Sequence, residues 1–114
     1  MSFPHRGDLF WVALDPTLGS EIAKTRPCLV ISNDVGNQVS DRVIVAPLTS
    51  RGTDRVYPFE VRVETGEGGL TETSKIALDQ IRTVDKRRIG RYVGTLAPPK
   101  MAEVDRAIRL SLAL

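Results

Sequence analysis

The chain has one cysteine, one histidine and no long apolar run, and each scarcity excludes something. A single thiol rules out a disulfide scaffold. One thiol with one imidazole is too few soft ligands for a zinc site, so neither a metal nor a cofactor is expected. No apolar stretch approaches the ~20 residues that a spanning helix needs. The N-terminal MSFPHRGD lacks the apolar core of a signal peptide. Charge of neither sign dominates: 16 basic against 14 acidic side chains leave +2, with a pI near 9.0. That balance permits contact with nucleic acid without demanding it. The expectation is a cytoplasmic protein with no membrane partner. The familiar nucleophile arrangements are missing too. There is no G-x-S-x-G elbow, no Cys–His set and no H-x-x-x-H helix. His5 lies at the chain's start and reads as an exposed polar residue, not a general base. Any enzyme chemistry falls to Arg, Lys, carboxylates and hydroxyls.

What is present is a single domain over 1–114, long enough for one core. Its first two thirds read as short strands broken by turns, which points to a mainly β, small barrel or sandwich. The expected strands are 8–14, 28–32, 42–48, 59–63, 75–78 and 91–96. In the fourth, Phe59, Val61 and Val63 share one face. Residues 33–41, rich in Asn, Gly, Ser and Asp, read as a loop, and Glu67-Gly68-Gly69 as a tight turn. Cys28 stands in an apolar run and reads as a small buried hydrophobe. After Pro98-Pro99 the period changes. Met101, Val104, Ile108 and Leu112 form one helical stripe, expected to lie across the barrel.

Three segments offer polar groups. In GSEIAKTRPCLVISND, residues 19–34, a charged loop enters an apolar strand, and Pro27 biases Arg26 toward extended backbone. Arg26 then stands at a strand mouth beside Ser20, Glu21, Lys24 and Thr25, donors suited to a phosphate. The segment alone reads equally as a solvated charged loop. Thr49 and Ser50, just past the third strand, could donate to a phosphate oxygen or make local turn bonds. Asp79, Gln80 and Arg82 could contact bases or phosphates, or only bond neighbouring loops. Lys86, Arg87, Arg88 and Arg91 form the densest basic run, a solvated face first and a phosphate-facing rim second.

Taken in order, these blocks resemble the MazF/PemK family of toxin endoribonucleases from bacterial toxin–antitoxin pairs. The resemblance rests on Arg6-Gly7-Asp8 with its aromatic strand, on 19–34, on VIVAPLTS at 43–50 and on KIALDQIRTVDKRRIG at 75–90. It implies an SH3-like barrel with a C-terminal helix, paired as a homodimer around an RNA groove. It further implies metal-independent, sequence-specific cleavage of single-stranded RNA, leaving a 2′,3′-cyclic phosphate and a 5′-OH. A cognate, MazE-like antitoxin peptide would neutralise the toxin by entering the same groove, over the loop 15–25 and Arg82, Lys86 and Arg87. Carried over by position, the catalytic Arg is Arg26 and the catalytic Thr is Thr49. Ser20 and Glu21 match loop residues beside bound RNA, and Gln80 a base-contacting position; Lys24, Ser50 and Arg82 complete the expected RNA-binding set. Asp79 matches the carboxylate proposed as a base in the PemK/Kid branch. That branch also uses an Arg where this chain has Ala77, which favours the Arg26/Thr49 arrangement. Leu48 and Ile81 are taken as outer apolar residues for two-fold pairing. The alternatives are a CcdB-type toxin, which shares the barrel but binds DNA gyrase, and an inactive homologue that only binds RNA or antitoxin.

Overall fold

One antiparallel sheet winds through most of the chain in the computed structural model, which describes residues 3–114. Its strands are β1 (Asp8–Ala13), β2 (Thr25–Val30), β3 (Arg42–Thr49), β4 (Glu60–Val63), β5 (Ser74–Ala77), β6 (Arg82–Asp85) and β7 (Ile89–Thr95). A short helix α1 (Asp34–Val39) precedes β3, and α2 (Pro98–Leu112) closes the chain. The strand order is β4-β5-β3-β2-β1-β7, with β6 also on β3. This is the expected mainly β, barrel-like fold with a C-terminal helix, although its end strands are not hydrogen-bonded to each other.

The ends meet instead by close backbone packing. The 3₁₀ turn Glu67–Gly69 after β4 lies against β7. A methyl added at Gly69, where φ is +80°, would overlap the Val93 carbonyl oxygen. One added at Gly94 would overlap the Gly68 carbonyl. Only hydrogen fits at either position.

Alternation along β2 and β3 sends side chains to two cores. Leu29, Ala46 and Leu48 join Leu9, Val61 and Ile76 on one side. Cys28, Val30, Val43 and Val45 join Val12 and Val84 on the other. The helix α2 covers the first with Val104 and Ala107. It is pinned at its middle by Arg6, whose Nη2 donates to Asp105 at 2.6 Å while its Nε donates to the Ile31 carbonyl.

Several expectations need correction. Residues 33–41 hold α1, because the Asn33 side chain accepts from the Gly36 N–H and nucleates a turn. Its Asn37 is fully buried, with Nδ2 donating to the Ser32 carbonyl. The strand β6 was not foreseen; only Val84 of its four residues is buried, too weak an alternation to read. β2 starts at Thr25, so Arg26 and Pro27 lie inside the strand and not before it. Leu112 is 49% exposed, since Ser111, which donates to the Leu78 carbonyl, occupies the sheet-facing position of that turn. Leu48 is 1% exposed, so it is not an outer residue for pairing, while Ile81 is half-buried, packed on the first core and open to a surface cleft.

Cys28 is fully buried, as its apolar setting suggested. Burial pushes its thiol from 9.0 up to about 12, with the Arg82 charge opposing. The unfolded thiol ionises near pH 9 and the folded one does not, so this contribution is intact below pH 9 and falls as pH rises toward 12. Urea unfolding between pH 8 and 11 should therefore show a steeper stability loss in the wild type than in Cys28→Ala. Equal slopes would mean that the thiol titrates freely in the fold. Separately, Gly94→Ala should lower stability by about 2–3 kcal/mol, the upper part of the usual overpacking range. An unchanged unfolding midpoint would show that the Glu67–Gly69 turn and β7 part without cost.

Candidate functional site

The site begins where β2 and β3 part. Their ladder pairs Val30 with Val45, Leu29 with Ala46 and Cys28 with Pro47, and stops there. The Ile31 N–H donates to the Ile44 carbonyl, so bonded pairs fall at every second residue, and the next would be Pro27 with Leu48. Pro27 has no N–H to give. Extended by two residues, the same register sets Arg26 across from Thr49, both half-buried and on the face of Cys28 and Pro47. The Arg26 Nε donates to the Ala23 carbonyl at 3.1 Å, which leaves its two terminal nitrogens as further donors. The Thr49 Oγ1 accepts from the Arg51 N–H at 3.2 Å and can still donate its own proton. Across β5, Thr49 faces Lys75. That cation is buried and held by Glu60 at 3.1 Å and by the Arg55 carbonyl.

On the same face lies a cleft of about 550 Å³, lined by Ser20, Glu21, Pro47, Asp79, Gln80 and Arg82. The same alternation explains its back wall. The missing N–H of Pro47 points away from β2, toward the edge shared by β5 and β6. There the chain loops out over residues 78–81, closed by a bond from the Gln80 N–H to the Ala77 carbonyl. The interruption carries Asp79, exposed, and Gln80, half-buried, into the cleft. Ala77 is buried.

The front wall is the β1–β2 loop, residues 14–24, and it is tethered at several points. The Gln80 Oε1 accepts from the Ile22 N–H at 2.7 Å. The Arg82 Nη1 donates to the Leu14 carbonyl at 3.0 Å. The Arg88 Nη1 donates to the Ala13 and Asp15 carbonyls. The Glu21 carboxylate accepts from the Leu18 N–H at 2.7 Å and turns the loop on itself.

Not all of the expected residues converge. Ser20, Glu21, Asp79, Gln80 and Arg82 line the large cleft. Arg26 and Ser50 line a smaller, separate one with Trp11, Thr25 and Thr71, which shares no residue with the first, except Pro47's neighbours on β3, and Thr49 lines neither. Lys24 is exposed and lines neither; its backbone, at φ +70°, closes the loop through a bond from the Leu14 N–H to its carbonyl. The basic run is partly committed: Arg87 pairs with Asp85 at 3.0 Å, and the hydrogen bonds from Arg87 hold the Asp85 carboxyl below its usual range. His5 stacks on Phe3 and lines neither cleft. Among the described residues no group of three or more His, Cys, Asp or Glu is placed to hold a metal ion, and no helix is long and apolar enough to cross a membrane.

A small bent β-sheet with a C-terminal helix and a polar cleft at a strand mouth defines a structural class that includes known toxins. The model for the PemK-like, MazF-like toxins of type II toxin–antitoxin systems matches residues 5–112, and the chain belongs to that family. Its fold is similar to MazF from Deinococcus radiodurans, with a TM-score of 0.83 and 28% identity over all of both chains. It is also similar to an endoribonuclease from a mycobacterial species solved with its cognate antitoxin: TM-score 0.81, 26% identity, 97% of this chain and 96% of that one. The Mycobacterium tuberculosis toxin MazF-mt6 gives 0.80 and 26%, covering 94% of this chain and 97% of that one.

Trp11 and Arg88 were missed as site residues by sequence. Trp11 reads as a strand aromatic, and Arg88 as one of a solvated run. Nothing local signals that the first walls a cleft or that the second ties a loop 73 residues away. The Gln80 tether has a measurable consequence. Gln80→Ala should raise hydrogen exchange at the Ile22 amide by about tenfold, from the ~0.5–1.5 kcal/mol of one net hydrogen bond. Unchanged exchange would mean that the loop is held without Gln80.

Proposed function

We propose that the protein is a sequence-specific, metal-independent endoribonuclease toxin that cleaves single-stranded RNA. The RNA's own 2′-OH gives its proton to Glu21 and attacks the adjacent phosphorus, and the bond to the 5′-oxygen breaks as that oxygen takes a proton from Arg26. The products are a 2′,3′-cyclic phosphate and a 5′-OH. The observation that carries this reading is the register of β2 and β3, which, continued past their last pair, sets Arg26 across from Thr49 at the mouth where the strands separate. Membership in the toxin family supports it.

An internal nucleophile removes the need for a Ser, Cys or metal-bound water. What the protein must supply is an in-line geometry and stabilisation of the charge that grows on the phosphoryl oxygens. The terminal nitrogens of Arg26 give charge-assisted bonds to those oxygens, and the Thr49 hydroxyl adds a neutral donor. Glu21 and Asp79 are the carboxylates on the cleft wall, and Glu21, on the loop, is the proposed base. Ser20, Ser50, Gln80 and Arg82 hold flanking nucleotides, with Lys24 at the loop's outer edge. Unpaired bases expose the edges that such side chains read, whereas an A-form duplex buries them.

In the cell the toxin works as a cytoplasmic homodimer, silenced by an acidic, disordered antitoxin segment whose carboxylates take the place of phosphates. That partner would lie over the loop 15–25, Arg82, Lys86 and Arg87. One of the similar structures is an endoribonuclease with its cognate antitoxin, which supports this reading.

The test is cleavage of a defined RNA by purified protein in EDTA. Arg26→Ala should cut about 10²–10³ more slowly, the cost of one oriented donor in an oxyanion hole, with an unchanged unfolding midpoint. Thr49→Val should lose less, since it removes a neutral donor. Wild-type turnover by a folded Arg26→Ala would remove Arg26 from the reaction, and dependence of the wild type on added metal would contradict the mechanism.

A further inference from the structure

The small cleft that holds Arg26 continues past its own wall. Trp11 and Thr71 line it on one side and also line a second depression of about 230 Å³, whose other residues include Arg91 and Tyr92. A β-bulge builds this wall. β1 pairs with β7 as Phe10 with Tyr92 and Val12 with Ile89, so Gly90 and Arg91 together face Trp11 alone. A bulge bends its strand and re-aims the side chains on it. The glycine belongs to the device, for a Cβ there would stand 3.2 Å from the Trp11 carbonyl oxygen.

The groups so presented are chemically specific. Arg91 is exposed and enters no ion pair among the described residues, unlike Arg6, Arg62 and Arg87. Tyr92 is 53% exposed, yet its ring is fixed. Its hydroxyl bonds Thr95 Oγ1 at 2.6 Å, Thr95 donates to Asp8 at 2.8 Å, and the ring packs edge-on against Phe10. The Tyr92 ring thus stands with Phe10 and Asp8, on the face opposite Trp11. What the bulge leaves beside Trp11 is a free guanidinium, and an indole with a guanidinium is a composition that binds single strands: stacking for a base, charge for a phosphate.

We propose that Trp11 and Arg91 form a second nucleotide subsite. It holds an unpaired base and a phosphate of the same RNA strand whose scissile phosphate lies at Arg26, beyond the cleft of Ser20 and Gln80. The inference rests on the proposed RNA cleavage. Shared Trp11 and Thr71 make the two sites continuous, so one strand passes from one to the other. Stacking carries no base-edge code, so the subsite adds affinity with strand length and little sequence preference. An acidic peptide would pair with Arg91 but has no use for the ring faces.

Trp11 is the only tryptophan, so its fluorescence reports the subsite directly. Fully 2′-O-methylated oligoribonucleotides, which cannot be cleaved, are titrated against the full chain at several salt concentrations, with lengths from two to eight nucleotides. The expected result is saturable quenching, with affinity that climbs with length and then levels. Arg91→Gln should weaken the long strands about tenfold and lower the salt slope by about 0.7, one single-strand phosphate. Tyr92→Leu, whose ring lies on the other face, should bind with the wild-type affinity and salt slope. Arg91→Gln should also raise KM for a long cleavable RNA more than for a short one. The inference is overturned if Arg91→Gln binds with the wild-type affinity and salt slope, or if an acidic peptide quenches Trp11 and no oligonucleotide does. If the wild type cleaves RNA but the length dependence is the same in Arg91→Gln, the subsite alone is wrong. If the wild type neither binds nor cleaves any strand, the proposed function fails with it.

Discussion

Two prolines, each lacking an N–H at a place where a sheet would need one, determine where this molecule opens. Pro27 stands where the β2–β3 ladder would form its next bonded pair, and the ladder ends one residue short of it. Pro47 presents its missing donor to the other edge of β3, and there β5 and β6 give way to the turn at residues 78–81. The first proline frees Arg26 and Thr49 from full burial at a strand mouth. The second stands where the turn carries Asp79 and Gln80 into the larger cleft. In a sheet interior a proline is a liability; here the gaps left by two of them become the site.

The remaining polar groups divide by whether they are already committed. Gln80, Arg82 and Arg88 spend hydrogen bonds on loop 14–24, while Arg87 and Lys75 are held by carboxylates. These groups shape the walls. Arg26 keeps its terminal nitrogens, and Arg91 stands exposed across Trp11 from it. A loop fastened at separate points by side chains can be released at one point and kept at another, which suits a wall that must admit a polymer.

The sequence made the strands around β1, β3 and β4 legible, through short apolar runs between turns and, in β4, a visible alternation, and Cys28 was legible as core because it stands in such a run. It also pointed to Arg26, since a charged residue before a proline at the end of a polar loop is locally distinctive. It could not reveal β6, whose side chains are mostly exposed, or α1, which rests on one Asn33 cap instead of a stripe. Leu48 misled, as a leucine followed by Thr49 and Ser50 looks like a strand leaving the core, while its cross-strand partner Ile76 keeps it buried. The division between the two clefts was beyond reach. It depends on which face Thr49 and Ser50 take, and on loops meeting across more than 50 residues, as Ile22 and Gln80 do.

The central claim is that the RNA supplies the nucleophile and the protein only aligns it. With the cut site mapped in one defined single-stranded RNA, the ribose just 5′ of that bond is replaced by a single deoxyribose. The account predicts no cleavage at that bond, with binding kept within a few-fold, because every other contact is intact and only the attacking hydroxyl is gone. Cleavage at the same bond in that strand would contradict it, since the nucleophile would then have to come from water or from the protein.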